Sequence, residues 1–460
     1  MCILRLQTIN SQIETMYRRK IEDILLRWKE TPNHKPLVIK GCRQCGKTSS
    51  VKAFAMQHYK HVVYMDFHEQ KELRTLFEGS LKIDYLTVVI TAAIPDATFV
   101  PGKTCLILDE IQDCPQARAA LKFFKLDGRY DVICTGSLLG VNGYKSEEQQ
   151  KDEETTSVPV GFETIVDMYP MDFEEWLWAN QIQQPIIDML KQYMREESPV
   201  PEAIHQRMRQ LLLEYIIVGG MPEAVSTFLT THDVNQMVAV QRTIVDEYKV
   251  DMVKYARSED KPHIRECFES IPRQLSRDNK KFTYSVVRKG ARSKEYVGSL
   301  QWIEDAGIVR RCHNLCITEL PLSGNAIQDC FKIYMADTGL FISMLDEGTQ
   351  SDILQGRLGS FKGAIYENVM ADILGKMGRK LYYYQKPDSL EIDFVMRYRG
   401  ECTPLECKAR TGNAKSMQTL LKHPEKYHVY HALKLGDYNV GRNGPLLTLP
   451  FYMAFLLTEV

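Results

Sequence analysis

The sequence predicts an α/β chain: a parallel sheet with helices on both faces, a helical and winged-helix middle, and a second α/β domain at the C-terminal end. Three observations predict it. Short apolar runs, "KPLVIK", "HVVYMDF", "KTCLILDE" and "RYDVICTGS", alternate with stretches of helical spacing, the pattern of a buried parallel sheet. A basic segment from Arg273 to His313 reads as helix, turn, helix and hairpin. Near the C-terminus, Asp393 in "LEIDFVM" precedes Glu406 and Lys408 in "PLECKA", two strand-like runs joined by a tight turn.

The chain has 460 residues, a size that favours two to four domains. Hydrophobic residues make up 44% and charged residues 25%, an ordinary globular balance. The net charge of −1 leaves partner choice to local charge. No apolar run is long enough for a transmembrane helix, and the first residues lack the pattern of a secretory signal. A cytoplasmic protein without a membrane partner is expected, with Met16 as a plausible start. The twelve cysteines are scattered through apolar runs, where cysteine acts as a small hydrophobe. No second C-x-x-C or paired histidine motif accompanies Cys42 and Cys45 to complete a structural zinc site.

The run "GCRQCGKTSS" after "KPLVIK" and before "TSSVKAFAMQHY" gives strand, glycine-rich loop and helix. Gly41 and Gly46 let successive N–H groups point at phosphate oxygens, and the helix N-terminus adds partial positive charge. Lys47 can reach β- and γ-phosphates, the Thr48 hydroxyl can ligate Mg²⁺, and Ser49 joins the nucleotide-binding set. "KTCLILDEIQDCP" ends a buried strand in Asp109, 62 residues after Lys47, suited to hold Mg²⁺ through its water shell. The adjacent Glu110 is the candidate to orient or deprotonate attacking water. "RYDVICTGSLLG" ends in Thr135 and Ser137, one of which would be placed to sense the γ-phosphate, and Ser137 joins the nucleotide-binding set. The cofactors expected are ATP and Mg²⁺.

These motifs, with "RRKIEDILLRW", "TGSLLGV", "MYPMDFEEWLWA" and "YIIVGGMPEAV", resemble a bacterial and archaeal family of AAA-type P-loop ATPases over residues of about 16 to 230. The resemblance implies Mg²⁺-dependent ATP binding and hydrolysis. One departure stands out: in "PVGFETIVDMYP" Phe162 follows Gly161, where the family commonly has a basic residue. Arg118 and Arg129 are the candidates to replace it. Between the motifs, Lys145 to Glu154 holds two lysines and five acids and reads as a solvated loop.

From Arg273 to His313 ten Lys or Arg face four acids, a local charge of +6. The run "SKEYVGSLQWIEDAG" is expected as a helix burying Val297, Leu300, Trp302 and Ile303, with a β-like wing after Gly307. As a winged helix it presents Arg288, Lys289, Arg292, Lys294, Arg310 and Arg311 to DNA, with Arg292 and Lys294 nearest the groove. Winged helices also dock proteins.

Along a strand, E-x-K puts Glu406 and Lys408 on one face, and a hairpin through "RYRGECT" brings Asp393 beside them. Two carboxylates bind a hard divalent cation, Mg²⁺ or Mn²⁺, and lysine stabilises phosphoryl charge. Glu367, on a helix, is a candidate third carboxylate. This set resembles the restriction-endonuclease-like superfamily, and the whole order matches the ATPase family already named, whose C-terminal domain has no established function.

The expected divisions are a P-loop domain at 16–175, a helical lid at 176–255, a winged helix at 256–325 and a nuclease-like domain at 326–460. The leading function is an ATPase whose nucleotide state controls a DNA-engaging C-terminal half with metal-dependent nuclease activity. The alternative is an ATP-gated adaptor or regulator that binds DNA or a protein without cutting; a protein partner or a homo-oligomer is a further expectation.

Overall fold

The computed structural model describes residues 17–137, 161–255, 260–277, 279–359, 361–386, 390–408 and 415–458. Met16 and the acidic stretch Lys145 to Glu154 lie outside them. The chain divides into two compact units, Met1–Pro170 with Val253–Ser258, and Met171–Met252 with Glu259–Val460.

The first unit is built on a five-stranded parallel sheet of order β2-β3-β4-β1-β5. Its strands are β1 (Leu37–Gly41), β2 (His61–Asp66), β3 (Thr104–Asp109), β4 (Asp131–Ser137) and β5 (Thr164–Asp167). All six residues of β3 are buried, as a continuous apolar run requires when both sheet faces are covered. Alternate side chains feed two cores. Leu37, Ile39, Cys105, Ile107 and Ile133 pack under α1 (Lys20–Glu30) and α2 (Lys47–His58), through Ile21, Leu25, Val51 and Phe54. Val38, Val63, Leu106, Leu108 and Val132 pack under α3 (Ile83–Ala93) and α4 (Pro115–Asp127), through Leu86, Ile90, Leu121 and Phe124. The expected helices on both faces are therefore present.

In the second unit, helices Phe173–Ala179, Gln184–Glu196, α5 (Glu202–Val218), Pro222–Thr231 and Val234–Tyr255 form the expected helical stretch. Three further helices follow, α6 (Lys261–Leu275), α7 (Tyr284–Val287) and α8 (Ser293–Asp305), and then the antiparallel pair β6 (Val309–Leu315) and β7 (Ala326–Met335). The burial expected for α8 needs correction: Val297 is 52% exposed, and Tyr296 and Ser299 are buried in its place with Leu300, Trp302 and Ile303. A helix turns by about 100° per residue, so Tyr296 rather than Val297 falls on the stripe with Leu300 and Ile303.

The β6–β7 hairpin is also not a free wing. β6 pairs in parallel with β8 (Leu381–Lys386), which pairs with β9 (Leu390–Ile392), giving a sheet of order β7-β6-β8-β9. The expected boundary between 325 and 326 falls between two paired strands, β6 and β7. A second sheet, β10-β11-β12-β14-β13, contains β10 (Phe394–Tyr398), β11 (Glu401–Lys408), β12 (Ala432–Gly436), β13 (Gly441–Asn443) and β14 (Leu446–Pro450). Helix α9 (Lys362–Lys376) packs against it, buried along nearly its whole length.

Three glycines set the approach of α5 to its neighbours. Gly219, at φ +70°, ends α5, and a Cβ there would lie 2.2 Å from Asp337 Oδ1. Gly339 would meet the Val218 carbonyl at 2.4 Å and Gly220 the Met171 carbonyl at 2.0 Å. The Gly220 N–H donates to Asp337 Oδ2 at 2.7 Å, and Lys376 reaches the same oxygen at 3.3 Å. Because backbone cannot yield as a side-chain tip can, Gly220→Ala should destabilise this unit by about 3 kcal/mol, measured by denaturant unfolding.

Candidate functional site

The first candidate site lies where β1, β3 and β4 end beside the N-terminus of α2. A Cβ on Gly41 would sit 2.2 Å from the Met168 carbonyl, and Gly46 caps α2 at φ +96°, so the loop needs glycine at both ends. Lys47 is buried, and its Nζ donates to the Cys42 carbonyl at 2.9 Å and the Gly41 carbonyl at 3.2 Å. The Thr48 hydroxyl donates to Asp109, 2.9 Å from Oδ2 and 3.1 Å from Oδ1. Ser137 is buried and in register with Gly41. Ser49 is exposed, one residue past Thr48.

Asp109 gathers more than the sequence suggests. Tyr64, on β2, donates to Asp109 Oδ2 at 2.8 Å, and Thr135, on β4, donates to Oδ1. Burial and the Asp109 charge push the Tyr64 hydroxyl far above its usual range, so it stays a donor. Glu110 follows at φ +51° and accepts from the Gln112 amide. Arg19, 5% exposed, donates to the Cys45 carbonyl at 2.8 Å and the Tyr169 carbonyl at 2.7 Å, fixing the loop from behind. Tyr64 falls in the strand "HVVYMDF" and Arg19 at the start of the helix "RRKIEDILLRW", but neither run signals these contacts. Of the two arginines considered in place of Phe162, Arg118 pairs with Glu163 at 2.7 Å and Arg129 with Asp84 and Asp127. Lys122 lies 5.4 Å from the centre of the Phe162 ring.

The second candidate site is in the second unit. Asp393 does not lie within a strand as expected: it falls between β9 and β10, where the chain passes from one sheet to the other. β10 pairs antiparallel with β11, Phe394 opposite Leu405, which brings Asp393 to Glu406 and Lys408. Asp393 Oδ2 accepts the Cys407 N–H at 2.8 Å. Lys408 pairs with Glu406 Oε1, while Glu406 Oε2 is buried without a hydrogen-bond partner among the described residues. Burial and the nearby Glu367 push the Asp393 carboxyl up to about 7.

Glu367 is adjacent but differently employed. Lys280 donates to its Oε1, Tyr334 donates to its Oε2 at 3.1 Å, and Lys332 lies 3.8 Å from that oxygen. Lys332 is fully buried and also pairs with Glu391 at 2.8 Å. Burial raises the Glu367 carboxyl, but Lys332 and Lys280 outweigh it and hold it below its usual value. Among the described residues no group of three His, Cys, Asp or Glu side chains is arranged to hold a metal ion. Two lysine ammoniums, those of Lys280 and Lys332, neutralise Glu367, which sets it apart from Asp393 and Glu406.

The six basic candidates for nucleic acid separate into two groups. Lys289, Arg292 and Lys294 are exposed around the start of α8, and Arg288 is exposed with Glu266 3.6 Å away. Arg310 and Arg311 point elsewhere. Arg310 packs against Gly375 of α9, where a Cβ would come within 2.3 Å of its Nε, and Arg311 is paired with Glu304. Both sit on β6, whose place between β7 and β8 makes it an interior strand rather than a wing.

Replacing a buried lysine that serves two carboxylates leaves charge uncompensated. Lys332→Ala should therefore destabilise the second unit by about 3 kcal/mol or more, read from chemical denaturation.

Residues 33–177 match the model of an AAA domain. Residues 209–351 and 362–452 match two domains of unknown function, DUF8612 and DUF4143. The chain is similar to a Walker-type ATPase of Pyrococcus abyssi, at 15% identity and TM-score 0.42, over 72% of this chain and 96% of that one. It is also similar to AMPPCP-bound DnaA from Aquifex aeolicus, at 11% identity and TM-score 0.22, over 63% and 86%. No curated protein matches the chain. Among the described residues no helix is long and apolar enough to cross a membrane. The AAA-domain match coincides with the parallel sheet and the glycine-rich loop that ends β1.

Proposed function

We propose that the protein is a Mg²⁺-dependent ATPase whose nucleotide state controls the grip of its second unit on DNA. The observation that carries the ATPase half is the convergence of Lys47, Thr48 and Asp109 at one sheet edge. Lys47 now bonds to loop carbonyls, and with ATP its ammonium exchanges them for β- and γ-phosphate oxygens. The Thr48 hydroxyl and Asp109 carboxylate are hard oxygen donors within 3 Å of each other, a set that fits Mg²⁺. The ion would supply charge neutralisation at the phosphates. Glu110 orients or deprotonates the attacking water, and Ser137 senses the γ-phosphate. With Phe162 in the position where a basic residue was expected, turnover by one chain alone is slow.

For the second unit, exposed Arg288, Lys289, Arg292 and Lys294 would meet DNA phosphates, so retention should weaken steeply with salt. Arg310 and Arg311 are left out of that surface. The non-cutting reading is favoured by Lys332 and Lys280, which already neutralise Glu367. A second reading, metal-dependent cleavage, has its own support: the unpartnered Glu406 Oε2 and the raised Asp393 carboxyl are groups that one Mg²⁺ or Mn²⁺ would satisfy. In that reading Lys408 would stabilise phosphoryl charge.

Lys47→Ala should weaken ATP binding about a hundredfold, the loss of one charge-assisted contact set. Glu110→Gln should keep ATP affinity and lower hydrolysis by about a hundredfold or more. Unchanged ATP affinity in Lys47→Ala would remove the loop from the account. DNA incubated with ATP and Mn²⁺ should be retained intact. Cleavage lost in Asp393→Ala would establish the second reading instead, and cleavage surviving that change would exclude Asp393 as its catalytic residue.

A further inference from the structure

The phosphate loop carries two thiols that nucleotide binding does not use. Cys42 and Cys45 are the first and fourth residues between Gly41 and Gly46. Their side chains are hydrogen-bonded to each other. Cys45 is fully buried, with its sulfur also directed at the Met168 carbonyl at 3.6 Å, whereas Cys42 retains 5% exposure. Two cationic groups adjoin them. Lys47 donates to the Cys42 carbonyl and Arg19 to the Cys45 carbonyl. The bond from Cys42 outweighs burial, and with Lys47 and Arg19 nearby it draws the Cys45 thiol down to about 6. The other buried thiols of this sheet behave in the opposite way: burial pushes up those of Cys105 and Cys134.

We infer that Cys42 and Cys45 form a reversible disulfide under peroxide, and that this bond closes the loop to ATP. The inference rests on the reading that this loop holds nucleotide phosphates. The chemistry balances with a hydroperoxide as the oxidant. One sulfur of the pair, as thiolate, attacks the O–O bond of hydrogen peroxide and becomes a sulfenic acid, while the leaving hydroxide takes a proton and departs as water. The second thiol then attacks that sulfur, the S–S bond forms, and a second water leaves. Two thiols are oxidised, and one peroxide is reduced to two waters.

The consequence follows from where the ring closes. A 42–45 disulfide ties together the loop residues whose N–H groups must turn toward phosphate, and it includes the Cys42 carbonyl that holds Lys47 in its present position. Lys47 must leave that carbonyl to reach a phosphate. Oxidation therefore stabilises the loop with Lys47 folded back.

The test uses the full chain in three states: reduced, treated with hydrogen peroxide, and re-reduced with dithiothreitol. ATP affinity is measured in each, and the disulfides are mapped by peptide mass spectrometry. The expected result is a Cys42–Cys45 bond in the oxidised sample, ATP affinity reduced at least about tenfold, and full recovery on reduction. Cys42→Ser and Cys45→Ser should each remove the peroxide effect. The proposal is overturned by an oxidised sample without that bond, by the bond with unchanged ATP affinity, or by a peroxide effect that persists in both serine variants. Reduced protein that fails to bind ATP would instead refute the nucleotide reading and the gating with it, while the mapped bond would still decide whether the pair is an oxidation site.

Discussion

The first unit depends on how one buried carboxylate is satisfied. Asp109, 3% exposed at the tip of β3, accepts hydrogen bonds from Thr48, Tyr64 and Thr135. Those donors come from α2, β2 and β4, so a single side chain ties the phosphate-loop helix to the two strands flanking β3. A buried carboxylate left without such donors would be costly. The same hydroxyls hold Asp109 at the sheet edge where the proposed Mg²⁺ would bind. Lys47 is held similarly, by carbonyls that stand in for phosphate oxygens as acceptors.

The second unit meets the same constraint with a different solution. Its carboxylates gather where β9 gives way to β10, and lysines compensate them, joined by one hydroxyl, that of Tyr334 on Glu367. Lys332 lies between Glu367 and Glu391, Lys280 adds a second cation to Glu367, and Lys408 covers one oxygen of Glu406. Asp393 alone has, among the described residues, only a backbone N–H as donor and no cation at hydrogen-bond distance, in keeping with its raised carboxyl. The two units contrast in this way: one presents a carboxylate prepared by neutral donors, the other a cluster largely neutralised by its own ammoniums.

How much of this was legible in the sequence follows from the range of each interaction. The loop and β3 were legible because their requirements are local: glycine at 41 and 46, and six consecutive buried residues in "TCLILD". Tyr64 was not, because its contact with Asp109 depends on the parallel register of β2 with β3, Asp66 opposite Asp109. The E-x-K face was readable from strand alternation, and its approach to Asp393 from a hairpin. The break between β9 and β10 was not readable, since an apolar run does not reveal a change of sheet. Lys280 is 87 positions from Glu367, beyond any local pattern, and on α8 Tyr296 rather than Val297 completes the buried stripe with Leu300, Trp302 and Ile303. The pairing of β6 with β8, equally remote in sequence, is what removes Arg310 and Arg311 from the exposed basic surface.

The central claim is that nucleotide on the first unit changes the affinity of the second for DNA. Linkage makes this measurable as a coupling that must be equal in both directions. The most direct measurement is the equilibrium affinity of the full chain for a short DNA duplex, at fixed salt, with no nucleotide, with ADP and with a non-hydrolysable ATP analogue. The account predicts a difference of at least about fivefold between the analogue and nucleotide-free states, matched by an equal effect of DNA on analogue affinity. Equal DNA affinity in all three states, with nucleotide demonstrably bound, would contradict it.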